Sequence, residues 1–103
     1  MRAIPTPSAV RDIAFAAGEM AGDNPRAARA FIAVTNEVAI NLGRFPEMGD
    51  ERPELADPPV RFWTIARYRY VVVYRPDTVP PRILRVLHGA RDLPNLLSGL
   101  RSD

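Results

Sequence analysis

The chain contains no cysteine and no lysine, and it has a single histidine, His88. Without cysteine it can form neither disulfides nor thiolate metal sites, and this composition indicates a reducing, cytoplasmic compartment. A zinc site with one imidazole would have to rely on carboxylates, so we expect no metal and no cofactor. No apolar run approaches the roughly 20 residues that span a bilayer, and the amino terminus lacks the apolar stretch of a secretory signal. We therefore expect no membrane contact.

Because lysine is absent, all 14 basic residues are arginine, against 12 acidic residues, and the net charge is +2. The guanidinium group is a planar fork that pairs with a carboxylate or a phosphate through two hydrogen bonds. An acidic protein and a nucleic acid would therefore both suit this surface as partners. A net charge this small is weak evidence for nucleic acid, and we expect no sequence-specific binding to it by the chain alone.

The length of 103 residues and the apolar share of 47% predict one globular domain, residues 1–103, with a single core. No internal repeat divides the chain. Residues 46–59 stand out because they are rich in proline and charge, which is typical of an exposed connection.

The first half of the chain predicts an edge strand followed by a helical hairpin. Residues 2–6 contain Pro5, which edge strands tolerate, and Thr6-Pro7 is a typical helix start. Asn24-Pro25 repeats that signal for a second helix, and Gly43 is a candidate stop. Apolar residues recur at intervals of three and four in both helices: Val10, Ile13, Ala14, Ala17, Met20 and Ala21 in the first, and Ala28, Phe31, Val38, Leu42 and Phe45 in the second, with Thr35 the one polar member of the series.

The second half changes to a period of two, which predicts strands at residues 60–65, 68–75 and 82–88. Ala66-Arg67 would be a tight link and residues 76–81 a looser turn. A short helical segment at residues 93–97 would end near Gly99. The order β-α-α-β-β-β-(α) predicts an α+β domain in which the helical hairpin packs on one face of an antiparallel sheet.

The faces of the strands follow from the length of the link. If Ala66-Arg67 is a two-residue loop, Ile65 lies opposite Tyr68. The face beneath the helices would then carry Arg61, Trp63, Ile65, Tyr68, Tyr70, Val72 and Tyr74, with Trp63 in the core. The other face, predicted to be open, would carry Phe62, Val71 and Val73, flanked by Arg69 and Arg75. The register of the third strand stays undetermined, so either Arg85 or His88 joins the open face.

The run Val71-Val72-Val73 is apolar on both faces, which is unexpected in a strand with one covered face. Strand propensity alone favours valine; alternatively, a partner covers the open face. An apolar patch rimmed by arginine is typical of a protein interface. The candidate partner-binding residues are therefore Arg61, Phe62, Arg69, Val71, Val73, Arg75, Arg85 and Arg91.

The most specific sequence motif is the segment Arg85-Val86-Leu87-His88-Gly89-Ala90-Arg91-Asp92-Leu93. Other motifs that accompany it are Asp12-Ile13, Asn24-Pro25, Ala28, Phe31, Phe45-Pro46-Glu47-Met48-Gly49, Arg52-Pro53-Glu54-Leu55, Arg61, Tyr70 and Val73-Tyr74-Arg75. With these motifs, the chain resembles the ParE-type toxins of the ParE/RelE toxin–antitoxin superfamily over nearly its whole length. The resemblance implies the same fold that the periodicity predicts.

The resemblance implies a toxin that poisons DNA gyrase by binding it. Its partner would be a ParD-like antitoxin, a ribbon-helix-helix protein with a C-terminal helix and an acidic tail. The RelE branch instead cleaves messenger RNA on the ribosome. In approximate alignment, Phe62 and Thr64 replace that branch's lysines, Val71 replaces an arginine and Leu97 stands near a tyrosine, so that only Arg91 matches. This favours the ParE branch, and a ribosome-dependent endoribonuclease that uses His88 and Arg91 is the alternative. A degenerate toxin that keeps only antitoxin binding is a third possibility.

Two interpretations of the C-terminal motif stay open. Either His88 is a general acid or base, for which its intrinsic pKa is suited, or it makes a structural hydrogen bond that orients the turn at residues 89–91. Arg91 grips a carboxylate of the antitoxin or a group on the target, or else it pairs with a neighbouring side chain, while Asp92 caps the last helix.

Overall fold

The computed structural model describes residues 1–95 of the chain. Its elements, in chain order, are β1 (Ile4–Pro5), α1 (Pro7–Asp23), α2 (Pro25–Arg44), β2 (Asp50–Glu51), β3 (Arg61–Ile65), β4 (Tyr70–Arg75) and β5 (Arg82–His88). The sheet order is β1-β5-β4-β3-β2, with β1 parallel to β5 and every other neighbouring pair antiparallel. The predicted α+β architecture and element order are confirmed, and the short strand β2 is added to them.

The predicted C-terminal helical segment is only partly covered. Residues 93–95 are helical, while the rest of the segment, with Leu97 and Gly99, lies outside the described residues. Across residues 1–95, no helix has both the length and the apolar character that crossing a bilayer requires.

Both helices begin as the sequence predicts. The Thr6 hydroxyl accepts the Ala9 N–H at 3.2 Å, and the Asn24 side chain accepts two N–H groups of the first turn of α2. Gly43 does not end α2, which continues to Arg44. A Cβ at Gly43 would collide with the backbone of the first two residues. This glycine therefore serves the close approach of the N-terminus to α2 rather than a helix stop.

The helical hairpin packs on one face of the sheet and forms the main core. Phe31 is fully buried and meets the rings of Tyr68 and Tyr70 edge-on, with centroids 5.3 and 5.2 Å apart. Ala28 through Leu42 of the predicted α2 series are buried, whereas Phe45 is exposed. On α1 the prediction is wrong for Val10, Ala14 and Ala21, which are exposed, because Ala9 and Ala16 face the sheet instead.

The hairpin between β3 and β4 is longer than predicted. Ile65 pairs with Tyr70 rather than Tyr68, so the loop has four residues, Ala66 to Arg69. A shift of two residues preserves the alternation of side chains. The predicted face assignment therefore holds: Ile65, Tyr70, Val72 and Tyr74 lie in the core under the helices, with Trp63 and Tyr68 packed at its margin.

The second face of the sheet is not open, and the prediction that it would be is wrong. Phe62, Val71 and Val73 are 4%, 5% and 1% exposed. They form a second core with Leu87, and this core is covered by Leu55, Ala56, Val60 and Leu93. A turn at Arg52, whose carbonyl accepts the N–H groups of residues 55 and 56, folds the proline-rich connection back over the sheet. The chain thus supplies its own cover for the apolar strand.

The register of β5 is now determined. Arg85 lies opposite Val73, and His88 lies opposite Tyr70. Arg85 therefore alternates onto the second face, and His88 falls on the side of the helices. An irregularity between Val73 and Tyr74 shifts the pairing by one residue, so that Tyr74 faces Ile83.

Tyr74 anchors the segment between α2 and β2. Its hydroxyl donates to the Pro46 carbonyl at 2.6 Å and accepts the Gly49 N–H at 2.9 Å, and its burial raises the pKa of the phenol. The Arg61 guanidinium donates to the Gly49 carbonyl at 2.7 Å. A Cβ at Gly49 would lie 2.8 Å from the Tyr74 ring, so the close approach requires glycine here.

We expect Tyr74→Phe to lower the free energy of unfolding by about 1–3 kcal/mol, because one buried and one partly buried backbone group lose their partner. Tyr68→Phe is the matched control: its hydroxyl is buried and has no hydrogen-bond partner within the described part of the chain. Its removal should leave stability unchanged or raised. Urea denaturation of both variants measures the difference, and equal losses would contradict the anchoring role of Tyr74.

Candidate functional site

A cleft of about 420 Å³ runs beside the edge of β5. Among residues 1–95, no strand pairs with this edge beyond Ile83, because β1 pairs only with Arg82 and Ile83. Helix α1 forms one wall, the segment after β5 forms the other, and β5 with Tyr70 forms the floor. The lining residues are Asp12, Phe15, Ala16, Tyr70, Arg85, Val86, Leu87, Arg91, Asp92 and Asn95.

Asp12 joins α1 to the strand edge. Its carboxylate accepts hydrogen bonds from Arg85 Nε at 2.7 Å, from Arg85 Nη2 at 3.0 Å and from the Val86 N–H at 3.0 Å. The hydrogen bond to Asp12 raises the pKa of the Arg85 guanidinium. The carboxylate thus takes the place that a neighbouring strand's carbonyl would have.

Asp92 fills the same role at the end of β5. One carboxylate oxygen accepts the His88 N–H at 3.2 Å, and the carboxylate also accepts Arg91 Nε at 3.0 Å. The hydrogen bond from Arg91 lowers the pKa of Asp92. Arg91 also reaches across the cleft to Glu19 of α1, at 3.4 Å. The two walls of the cleft are therefore connected by an ion pair.

His88 holds the turn that follows β5. Its Nδ1 accepts the backbone N–H of Arg91 at 3.1 Å, and its carbonyl accepts the N–H of Asp92 at 2.9 Å. The imidazole packs edge-on against Tyr70, with centroids 5.4 Å apart. This is the structural hydrogen bond that the sequence suggested for orienting residues 89–91.

Most of the candidate arginines are engaged within the chain. Arg61 donates to backbone carbonyls, and Arg75 pairs with Asp77 at 2.7 Å. Arg85 and Arg91 pair with Asp12 and Asp92 as described, but their side chains remain 40% and 49% exposed. A guanidinium carries more N–H donors than these contacts use. Both side chains can therefore still receive a carboxylate or a phosphate from outside.

The candidate residues do not form one patch. Arg69 precedes β4 and Arg75 ends it, so the strand separates them by about 20 Å. The residues expected between them, Phe62, Val71 and Val73, are buried beneath the chain itself. That these three contact a partner stays a prediction, but the exposure on which it rested is absent.

Sequence reasoning missed Phe15. This side chain is 64% exposed and lines the cleft from α1. The signal was present: Phe15 falls outside the apolar series of α1, and an aromatic residue on the polar side of an amphipathic helix often marks an interaction surface. Asp12 and Glu19 were missed as well, because their roles depend on contacts with residues more than seventy positions away.

We expect Asp12→Ala to destabilise the protein by about 1–3 kcal/mol, because Val86 N–H and Arg85 lose a shared acceptor. Asp77→Ala is the matched control, since it removes an equally short aspartate–arginine pair that is exposed and local in sequence. It should have little effect. Urea denaturation of the two variants gives the comparison. A large loss of stability in both variants, or in neither, would contradict the structural role of the Asp12–Arg85 pair.

Comparison with known proteins agrees with the fold of this chain. Residues 3–93 match the model of a family described as the ParE toxin of the type II toxin–antitoxin system, parDE. A solved chain from the "Chromosomal ParDE TA system from P. aeruginosa" superposes with a TM-score of 0.70 and 23% identity, over 85% of this chain and 95% of that chain. At that identity the likeness shows the fold alone. No curated protein gives a significant match.

Proposed function

Because the chain belongs to the ParE toxin family of type II toxin–antitoxin systems, we propose that it inhibits DNA gyrase by binding and is neutralised by a cognate ParD-like antitoxin. The toxin acts, in this proposal, without bond-breaking chemistry of its own. The alternative is RNA cleavage on the ribosome, as in the RelE branch of the superfamily.

The burial of Phe62 and Val71 is the observation that carries the choice. These positions align approximately with basic residues of the RNA-cleaving branch, and here they are 4% and 5% exposed in an apolar core. RNA cleavage through the 2′-OH requires a base, an acid and stabilisation of charge on phosphate. His88 has one ring nitrogen committed to the backbone of Arg91. A binding function requires none of these catalytic groups.

For the antitoxin, the cleft beside β5 is a better docking site than the covered face of the sheet. It is concave, it has an exposed aromatic side chain at Phe15, and two half-exposed arginines lie in it. An amphipathic helix can lay its apolar side in such a groove. Carboxylates of an acidic tail would then meet the free N–H groups of Arg85 and Arg91. This docking replaces the one over the covered face.

We expect Phe15→Ala to weaken binding of the cognate antitoxin by at least about tenfold, as loss of a central aromatic contact does at protein interfaces. Phe45→Ala is the matched control, because Phe45 is 59% exposed but lies outside the cleft, after α2. Isothermal titration calorimetry measures both affinities. If the two variants bind equally well, the cleft is not the antitoxin site.

We expect the purified protein to arrest supercoiling by DNA gyrase and to produce no codon-phased cuts in messenger RNA in a translating extract. His88→Asn should behave in the same way, because the asparagine side chain can still accept the Arg91 N–H while lacking the imidazole. Supercoiling assays and mapping of messenger 5′ ends provide the two measurements.

Codon-phased cuts that disappear in His88→Asn would establish the ribonuclease alternative instead. Absence of both activities, together with harmless expression in a host that lacks the antitoxin, would indicate a degenerate toxin that retains antitoxin binding alone.

A further inference from the structure

The turn between β3 and β4, Ala66 to Arg69, is here called the arginine turn. Arg69 has a φ of 60°, and it is the one non-glycine residue with positive φ in the described part of the chain. The left-handed region is unfavourable for L side chains, so glycine or asparagine is the usual choice. An arginine at this position has a backbone conformation that its side chain does not favour.

Backbone hydrogen bonds and an aromatic contact with the core fix the backbone of the arginine turn. The Arg69 N–H bonds the Ile65 carbonyl at 2.9 Å, and the Arg69 carbonyl accepts the Gly89 N–H at 2.9 Å. Between the two arginines, the ring of Tyr68 packs against Phe31 in the core. The Arg67 guanidinium lies 5.4 Å from the centroid of that same tyrosine ring. Two cationic side chains thus project from a fixed backbone.

No ion pair within residues 1–95 neutralises the charge of the arginine turn. Arg67 and Arg69 are exposed and form no ion pair with residues 1–95, in contrast to Arg75, Arg85 and Arg91. The sequence between Asp57 and Asp77 contains no acidic residue at all. Two guanidinium groups that project from one fixed turn are suited to an anionic ligand that presents two acceptor groups.

We propose that the arginine turn binds backbone phosphates of duplex DNA without reading its sequence. None of the large apolar residues exposed in residues 1–95 lies in this turn. A protein partner would be expected to bury an apolar centre, whereas cationic side chains can bind phosphates without one. The inference deepens the proposed function and rests on it for its setting, since the DNA held by gyrase would be the ligand.

The first test uses a mixed-sequence DNA duplex without gyrase, titrated with the protein over a range of salt concentrations. Affinity falls with salt, and each phosphate contact makes the slope of log affinity against log salt steeper by about 0.9. We expect Arg67→Ala and Arg69→Gly each to make this slope shallower by about that amount. Arg82→Ala removes the same charge from an exposed arginine at the far end of β5, and it should leave the slope unchanged.

Arg69→Gly is chosen because glycine suits the left-handed backbone, so its urea midpoint should be equal to or higher than that of the wild type. Weaker DNA binding by a variant that folds at least as well cannot come from unfolding. Equal slopes for Arg69→Gly and wild type, or equal losses for Arg69→Gly and Arg82→Ala, would overturn the proposal.

The second test measures cleavage complexes formed by gyrase on DNA, antitoxin affinity and binding to gyrase free of DNA. We expect Arg67→Ala and Arg69→Gly to reduce cleavage complexes severalfold and to leave the other two quantities unchanged. Loss of binding to DNA-free gyrase would show that the turn contacts protein, which overturns the proposal. Failure of the wild type to arrest supercoiling would reject the gyrase function while leaving the duplex measurement standing.

Discussion

The contact between Asp12 and the edge of β5 is the constraint on which the candidate site depends. One carboxylate satisfies a backbone N–H of the strand and both binding nitrogens of Arg85. It therefore fixes α1 at a set distance from the sheet edge and prevents another strand from pairing there. The cleft, and the position of Phe15 above it, follow from that single attachment.

Internal pairing changes the meaning of the arginine-rich composition. From the sequence alone, the arginines are expected to be unpaired cations. In the fold, however, Arg75, Arg85 and Arg91 each form an ion pair with a different aspartate of the same chain. Their charge is largely cancelled locally, and their geometry is fixed in advance. A partner that reaches Arg85 or Arg91 meets ordered donors beside carboxylates, which favours specific placement of its acidic groups over long-range attraction.

Local sequence signals predicted the elements and the faces of the strands. Contacts between residues that are distant in sequence could not be predicted from such signals. Thr6-Pro7 and Asn24-Pro25 mark helix starts through contacts within one turn. The period of two predicted the face of Val72 correctly, even though the predicted loop was two residues shorter than the observed one. The cover of Val71 and Val73 comes from Leu55 and Leu93, which carry no periodic pattern. The cleft likewise depends on Asp12 and Arg85, which are far apart in sequence.

The cleft and the arginine turn are distant in the sequence, but they are joined by a hydrogen bond between the segment after β5 and Arg69. Gly89 bonds the carbonyl of Arg69, and two residues later Arg91 bonds the imidazole of His88 and the carboxylate of Asp92. An antitoxin in the cleft would contact residues 88–92 at Arg91. DNA on the arginine turn would contact Arg69, which the Gly89 N–H joins to the same segment. Because the Gly89 N–H joins this segment directly to Arg69, a bulky antitoxin at Arg91 would also obstruct access to the turn. Neutralisation would then need no change in the toxin's conformation.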